Sequence, residues 1–232
     1  TRSLGCAIND LTDRKFDKNV ERTKDRPLAN NSLSVIEALF FIILLSICSL
    51  LLLSLTNIFT IMLVGIIAVP MIIIYPLMKR FIAVPQIFLG ATFGLSLPIS
   101  YSIAESTISL EVVFLYFGCV FWIIAYDTYY ALCDVDDDRK LNLKSAAIFF
   151  GDDARKAIIV FSSLFVFNIL ILAYKNVSSV MALGILFLLY QIYFQNQLSK
   201  ANKNLEAFKA NSQVGLVVAV LLFIEKQSEF FS

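Results

Sequence analysis

Two acid-rich segments carry the side chains best suited to chemistry. The first reads Asn9-Asp10-Leu11-Thr12-Asp13-Arg14-Lys15-Phe16-Asp17. On a helix, Asn9, Asp13 and Asp17 fall within about 80° of one another, with Asp10 beside them. The second reads Asp127-Thr128-Tyr129-Tyr130-Ala131-Leu132-Cys133-Asp134-Val135-Asp136-Asp137-Asp138. On a helix, Asp127, Asp134 and Asp138 fall within about 40° of one face, and Ala131 leaves room beside them. Carboxylates aligned in this way repel one another unless a cation sits among them. The chain has no histidine, which removes His-based zinc sites and Ser-His-Asp catalysis. Oxygen-only donors favour Mg2+. Mg2+ takes one or two carboxylates together with substrate phosphates, so two acid clusters far apart in sequence suit two ions bridging one diphosphate. Arg14, Lys79, Arg80, Arg139 and Lys144 stand near enough to complete an anion site. For Asp136 and Asp137 taken alone, a solvated helix end is an equally good reading.

The elements that position these residues are apolar helices. Hydrophobic residues make up 59% of the 232-residue chain and charged residues 16%, and the mean hydropathy is +0.79. Soluble domains average about 45–50% apolar and about 25% charged residues. A net charge of +1 gives no electrostatic footprint for nucleic acid. Runs long enough to cross a bilayer lie near Val35–Leu55, Ile58–Met78, Pro85–Tyr101, Val112–Cys133, Ala157–Tyr174 and Val177–Phe194. A shorter run at Val214–Ile224 can extend into flanking polar residues, and Thr1–Leu11 reads as the cytosolic end of an eighth helix. The runs lack the alternation of a membrane barrel, so the expected fold is all-α, a multi-pass transmembrane bundle forming a single domain over residues 1–232.

Basic residues alternate between connections. Arg14, Lys15, Lys18, Arg22, Lys24 and Arg26 fill the first, Lys79 and Arg80 the third, Arg139, Lys140, Lys144, Arg155 and Lys156 the fifth, and Lys200, Lys203 and Lys209 the last. The Thr56–Asn57 turn and Ser102–Glu111 hold none, and Lys175–Asn176 holds one. The basic side should be cytoplasmic, and both acid clusters lie on it. This pattern fits a bacterial inner membrane, with a mitochondrial inner membrane as the other setting. The four cysteines, Cys6, Cys48, Cys119 and Cys133, share no metal-ligand spacing and are expected to be unpaired packing residues.

These residues resemble a known family. Asn9-Asp10-x-x-Asp13-x-x-x-Asp17 is similar to the first aspartate-rich motif of the UbiA superfamily of intramembrane prenyltransferases. Asp127-x-x-Tyr130-Ala131-x-x-Asp134-x-x-Asp137-Asp138, followed by Lys144-Ser145, is similar to the second. Arg2-Ser3-x-Gly5-Cys6, Arg22-Thr23-x-x-Arg26-Pro27-Leu28, and Tyr75-Pro76-x-Met78-Lys79-Arg80 with Pro85-Gln86 bring the resemblance closest to the 4-hydroxybenzoate polyprenyltransferase branch. Two positions depart from the family pattern. Asn142 stands where glycine is common, and Val135 where a charge is common.

The resemblance implies Mg2+-dependent transfer of a polyprenyl group from a polyprenyl diphosphate to the ring of 4-hydroxybenzoate, a step of ubiquinone biosynthesis. It assigns Asn9, Asp13, Asp134 and Asp138 to the metal–diphosphate site, with Asp10, Asp17 and Asp127 in support. Arg80 is expected to contact the diphosphate or the substrate carboxylate, although Lys79 and Arg80 also read as topology determinants. A carboxylate, Asp13 or Asp134, assists loss of the phenolic proton. Tyr129 and Tyr130 border the acids and either shield a cation or pack. Gly90-x-x-x-Gly94 is expected to serve close helix packing or to line a groove for the prenyl tail. The family's nine helices imply that a first helix and part of a second precede Thr1, roughly 50 residues. Homogentisate or a naphthoate is the alternative acceptor, and an ion-coupled transporter is the alternative from another class.

Overall fold

A computed structural model of the chain describes residues 2–173 and 178–231, and the side chains at 2, 79, 173 and 225–231 lie outside the description. The described residues are helical or in turns, without strands. In chain order the helices are α1 (Arg2–Asp17), α2 (Val35–Ser54), α3 (Ile58–Leu77), α4 (Pro85–Glu105), α5 (Leu110–Ala131), α6 (Val135–Lys140), α7 (Ala146–Leu172), α8 (Ser179–Lys200) and α9 (Asn204–Phe231). Seven of these, α2 to α5 and α7 to α9, are long and apolar enough to cross a membrane. The chain is therefore an integral, multi-pass membrane protein. The short apolar run at Val214–Ile224 belongs to a helix that begins back at Asn204. The Lys175–Asn176 turn lies outside the described residues.

Local sequence sets the starts of the spans. Ser34 and Glu37 form a capping box on α2, and Asn57, Ser109 and Ser178 cap α3, α5 and α8 through their side-chain oxygens. Each such cap satisfies a backbone donor that the helix leaves open. Prolines shape the interiors. Pro70 lacks an N–H, and ahead of it the chain widens into a π turn over Val64–Ala68, with the Val69 N–H reaching back to the Val64 carbonyl. Pro98 cannot bond the Gly94 carbonyl, and α4 turns at Leu95 between its two halves.

The core lies among α5, α7, α8 and α9. Phe165, Val166, Ile169, Met181, Leu188 and Val214 form one buried cluster, and Ala125, Tyr129, Ile158 and Ala207 another. Amides cross this core. The Trp122 indole N–H donates to Asn211 Oδ1 (2.9 Å), Asn211 Nδ2 donates to Gln195 Oε1 (3.2 Å), and Gln191 Nε2 donates to Gln213 Oε1 (3.0 Å). Within a bilayer such groups must find partners in the protein, and here they tie three spans together. Gly90 and Gly94 serve packing. A Cβ on Gly90 would stand 3.0 Å from the Val120 carbonyl oxygen, and one on Gly94 3.1 Å from the Tyr116 ring. The outer face of α2, with Ile36, Phe40 and Leu51, is exposed. All four cysteines are unpaired.

Candidate functional site

The basic ends of the helices meet at one end of the bundle. Arg22 reaches Asp134, Arg80 reaches Thr12, and Lys144 donates to the Phe81 carbonyl (2.8 Å). Between these ends lies a cavity of about 180 Å³. Asn9, Asp13 and Asp17 line it from α1, and Asp127, Asp134 and Asp138 line it from the second acid segment. The two motifs therefore face one another across a single space.

The second segment reaches that space by a route the sequence periodicity does not give. It is not one continuous helix. The span ends at Ala131, the amides of Cys133 and Asp134 turn back to the carbonyls of Tyr130 and Ala131, and α6 starts at Val135. The reason is electrostatic. A continuous helix would stack Asp134, Asp136, Asp137 and Asp138 at its carbonyl end, where negative charge is unfavourable. The break puts Asp136, Asp137 and Asp138 in the first turn of a new helix, where free N–H groups favour them. Asp138 faces the cavity, while Asp136 is exposed. Asp137 accepts from Lys140 (3.0 Å) and from the Glu21 N–H (3.3 Å), and these contacts hold its carboxyl below the usual carboxylate range. Asn142 follows at φ 52°, a left-handed conformation that glycine adopts freely and asparagine tolerates. The departure from the family pattern at this position is thus conformationally conservative.

Arginines hold the carboxylates around the cavity. Arg22 donates through Nε and Nη2 to both oxygens of Asp134 (3.0 and 2.5 Å), bonds the Tyr130 hydroxyl, and lies 4.0 Å from the centre of the Tyr130 ring. Burial works against the Arg22 charge, and the bonds to the Asp134 carboxylate, with its negative charge, outweigh it and raise the guanidinium further. Arg26 bridges Asp10 (2.8 Å) and Asp17 (3.2 Å). Arg80 stands 3.7 Å from Asp13 and 4.9 Å from the Phe16 ring. Asp13 and Asp17 sit in the last turns of α1, where the helix dipole disfavours them, so these cations offset a real cost.

The cavity wall includes seven of the residues picked out in the sequence: Asn9, Asp13, Asp17, Asp127, Asp134, Asp138 and Lys144. Asp10 and Arg80 do not line it. Asp10 is turned to Arg26, and Arg80 stands 3.7 Å from Asp13, a residue of the cavity wall. The Lys79 side chain lies outside the described residues. The two tyrosines separate: Tyr130 faces the cavity, and Tyr129 is packed against Ile158 and Ala207. Arg22, Arg26, Tyr75 and Gln86 also line the space. The sequence holds them in family-like motifs, but nothing in a single chain shows that Arg22 meets a carboxylate 112 positions away.

Among the described residues, no three Asp, Glu or Cys side chains converge into a ready-made metal cage. The donor set is all oxygen and is split between two walls. That arrangement fits an ion that completes its shell with phosphate oxygens rather than with protein alone.

Residues 1–217 match the UbiA prenyltransferase family, and the chain belongs to that family. It is 39% identical over 218 residues to the 4-hydroxybenzoate octaprenyltransferase of Polynucleobacter necessarius subsp. necessarius (strain STIR1), covering 92% of this chain and 76% of that one. It is 34% identical over 229 residues to the 4-hydroxybenzoate octaprenyltransferase of Francisella tularensis subsp. novicida (strain U112), covering 97% and 80%. In fold it is similar to the apo UbiA homolog from Aeropyrum pernix K1, with a TM-score of 0.85 at 22% identity over 97% of this chain and 85% of that one. It is also similar to a UbiA homolog from Archaeoglobus fulgidus bound to GPP and Mg2+, with a TM-score of 0.71 at 20% identity over 94% and 80%.

Proposed function

We propose that this chain transfers a polyprenyl group from a polyprenyl diphosphate to the ring of 4-hydroxybenzoate, a step of ubiquinone biosynthesis. The observation that carries the reading is the meeting of both acid motifs at one cavity at the basic end of the bundle. The shared name of the two relatives supports the acceptor. The basic connections support a cytoplasmic mouth in a bacterial inner membrane.

In this reading Asn9 and Asp13 on one wall, and Asp134 and Asp138 on the other, hold Mg2+. Bound Mg2+ supplies Lewis-acid neutralisation of the diphosphate, which makes it a better leaving group. Arg22 and Arg26, both on the cavity wall, supply positive charge to the same oxygens. Arg80 stiffens Asp13 from behind. The allylic C–O bond breaks, with the electron pair leaving on the diphosphate. A carboxylate takes or stabilises the phenolic proton as the ring carbon ortho to the phenol attacks the allylic cation, and that carbon then releases its own proton as the ring regains aromaticity. The Tyr75 and Tyr130 rings face this space and favour the cation electrostatically. The apolar tail of the donor extends among the helices toward lipid.

The test is an assay of the lipid-reconstituted protein with labelled prenyl diphosphate and Mg2+, offered 4-hydroxybenzoate, homogentisate or a naphthoate. Product with 4-hydroxybenzoate is expected. Product with a different acid alone would overturn the acceptor, and no product with any acid would overturn the activity.

A further inference from the structure

We infer that a single water molecule is bound within the membrane between α5, α7, α8 and α9, where it joins the Ser162 hydroxyl to the Gln191 and Gln195 amides. The site is separate from the prenyl-transfer chemistry at the basic end of the bundle.

A second cavity, of about 20 Å³, lies in this part of the core. One water molecule needs about 10–15 Å³ and two to four polar partners. Phe165 and Leu188 give the cavity apolar wall, and Ser162, Gln191, Gln195 and Asn211 give it polar groups. The three amides are 3%, 4% and 7% exposed. The direction of each amide follows from Trp122, whose indole N–H can only donate. Asn211 Oδ1 takes that N–H, so Asn211 Nδ2 faces Gln195 Oε1. Gln195 Nε2 then faces Gln191 Oε1 (3.4 Å), and Gln191 Nε2 faces Gln213 Oε1 (3.0 Å). An amide nitrogen carries two N–H groups, so Gln191 and Gln195 each keep one without a partner among the described residues.

Ser162 differs from other hydroxyls of the spans. Ser46, Ser100 and Thr128 each donate to the carbonyl four residues earlier, at 2.7, 2.7 and 2.6 Å. Ser162 has no hydrogen bond among the described residues, although it lines the cavity. In the bilayer interior an unpaired hydroxyl and two unpaired N–H groups have no bulk water to turn to. A water in the cavity accepts from the two amide N–H groups and bonds the Ser162 hydroxyl, which makes the three bonds usual for a buried water. Through it α7 enters the polar chain that runs from Trp122 on α5 through Asn211 on α9 to Gln195 on α8. The chain seats α9 at Asn211, three residues beyond Phe208. The Phe208 ring lies 4.7 Å from that of Tyr130, which lines the acid-rich cavity. The water site thus supports one wall of that cavity from within the bundle.

Variants of the complete membrane protein in lipid test the site through the thermal midpoint. Ser162→Ala removes one of the three bonds and adds no bulk, and it should lower the midpoint by about 2–4 °C. Ser162→Val fills the cavity and expels the water, leaving two amide N–H groups unpaired, so the midpoint should fall by roughly 4–8 °C. A dry cavity predicts the opposite sign, because filling a void with apolar atoms stabilises. Gln195→Met removes one of the donors, and in that background Ser162→Val should cost about half as much or less. A midpoint that holds or rises in Ser162→Val would overturn the inference. So would a fall just as large in the Gln195→Met background, since that would mark a steric clash rather than a lost water. A map of the wild-type protein at a resolution that shows ordered water is the second readout. It should hold a peak about 2.7–3.2 Å from both Ser162 Oγ and Gln195 Nε2, and the peak should be absent in Ser162→Val. A wild-type cavity that is dry, or filled by a lipid chain, would overturn the inference whatever the midpoints.

Discussion

Replacing Arg22 by glutamine should release the segment between α1 and α2 from the mouth of the cavity. Arg22 ties that segment to Asp134 by two charge-assisted bonds and to Tyr130 by a further bond and by its stacked guanidinium. The two side chains are 29% and 14% exposed, which places the pair between two measured regimes. Exposed ion pairs contribute about 0–1 kcal/mol, and breaking a buried pair costs about 3–5 kcal/mol. An intermediate cost of about 2 kcal/mol follows, or about a 30-fold rise in the opened population of the segment. The assay is trypsin cleavage after Lys24, which lies in the same segment and is exposed. When opening is fast relative to cleavage, the cleavage rate follows the opened population, so it should rise about 30-fold in Arg22→Gln. Asp134→Asn should show a similar rise, and the double variant little more than either single one. Cleavage at the wild-type rate in both single variants, or rises that multiply in the double variant, would refute the reasoning.

Asp13→Ala and Asp134→Ala should each abolish turnover, by at least about 100-fold, while the protein remains membrane-inserted; near-normal kcat in purified Asp134→Ala would refute the metal role. Gly90→Leu should separate α4 from α5, since even a Cβ meets the Val120 carbonyl at 3.0 Å; a loss of about 1–3 kcal/mol in unfolding is expected. Asn142→Gly should keep or slightly raise stability, whereas Asn142→Val should cost about 1–2 kcal/mol at φ 52°, read by denaturant midpoint. The Glu21–Asp137 tether should weaken in acid. The Asp137 carboxyl is held low by Lys140 and the Glu21 N–H, so its stabilising contribution is present above the unfolded carboxylate range near about 3.9 and is lost as pH falls through the lower folded value. Hydrogen exchange at the Glu21 amide across that range checks this.

The spans were legible in the sequence because the bilayer demands about 20 apolar residues per crossing, and the basic residues marked which ends belong together. The face shared by Asn9, Asp13 and Asp17 was legible too, because α1 is an uninterrupted helix to Asp17. The second segment was only half legible. Its residues reach the predicted cavity, but the helical projection assumed a continuity that the charge run itself breaks at Leu132–Asp134. The partners of the acids were not legible. Arg22 and Arg26 stood out as basic residues of the first connection and as part of a family-like stretch, but only the folded chain brings Arg22 to Asp134 and Arg26 to Asp10 and Asp17. Gln86 stood in a family-like stretch, but its bond to the Ala146 N–H depends on α7 starting beside it. The intramembrane amides Gln191, Gln195 and Asn211 carry no periodic signal that distinguishes a network from isolated polar residues.

The most direct test of the central claim is binding of Mn2+, as a spectroscopic stand-in for Mg2+, to the lipid-reconstituted protein with and without a non-hydrolysable prenyl diphosphate analogue. Tight Mn2+ binding should require the analogue, and it should be lost in Asp13→Asn and in Asp134→Asn alike, one from each wall of the cavity. Binding that survives either substitution undiminished, or that is equally tight without the analogue, would contradict a diphosphate site shared by the two motifs.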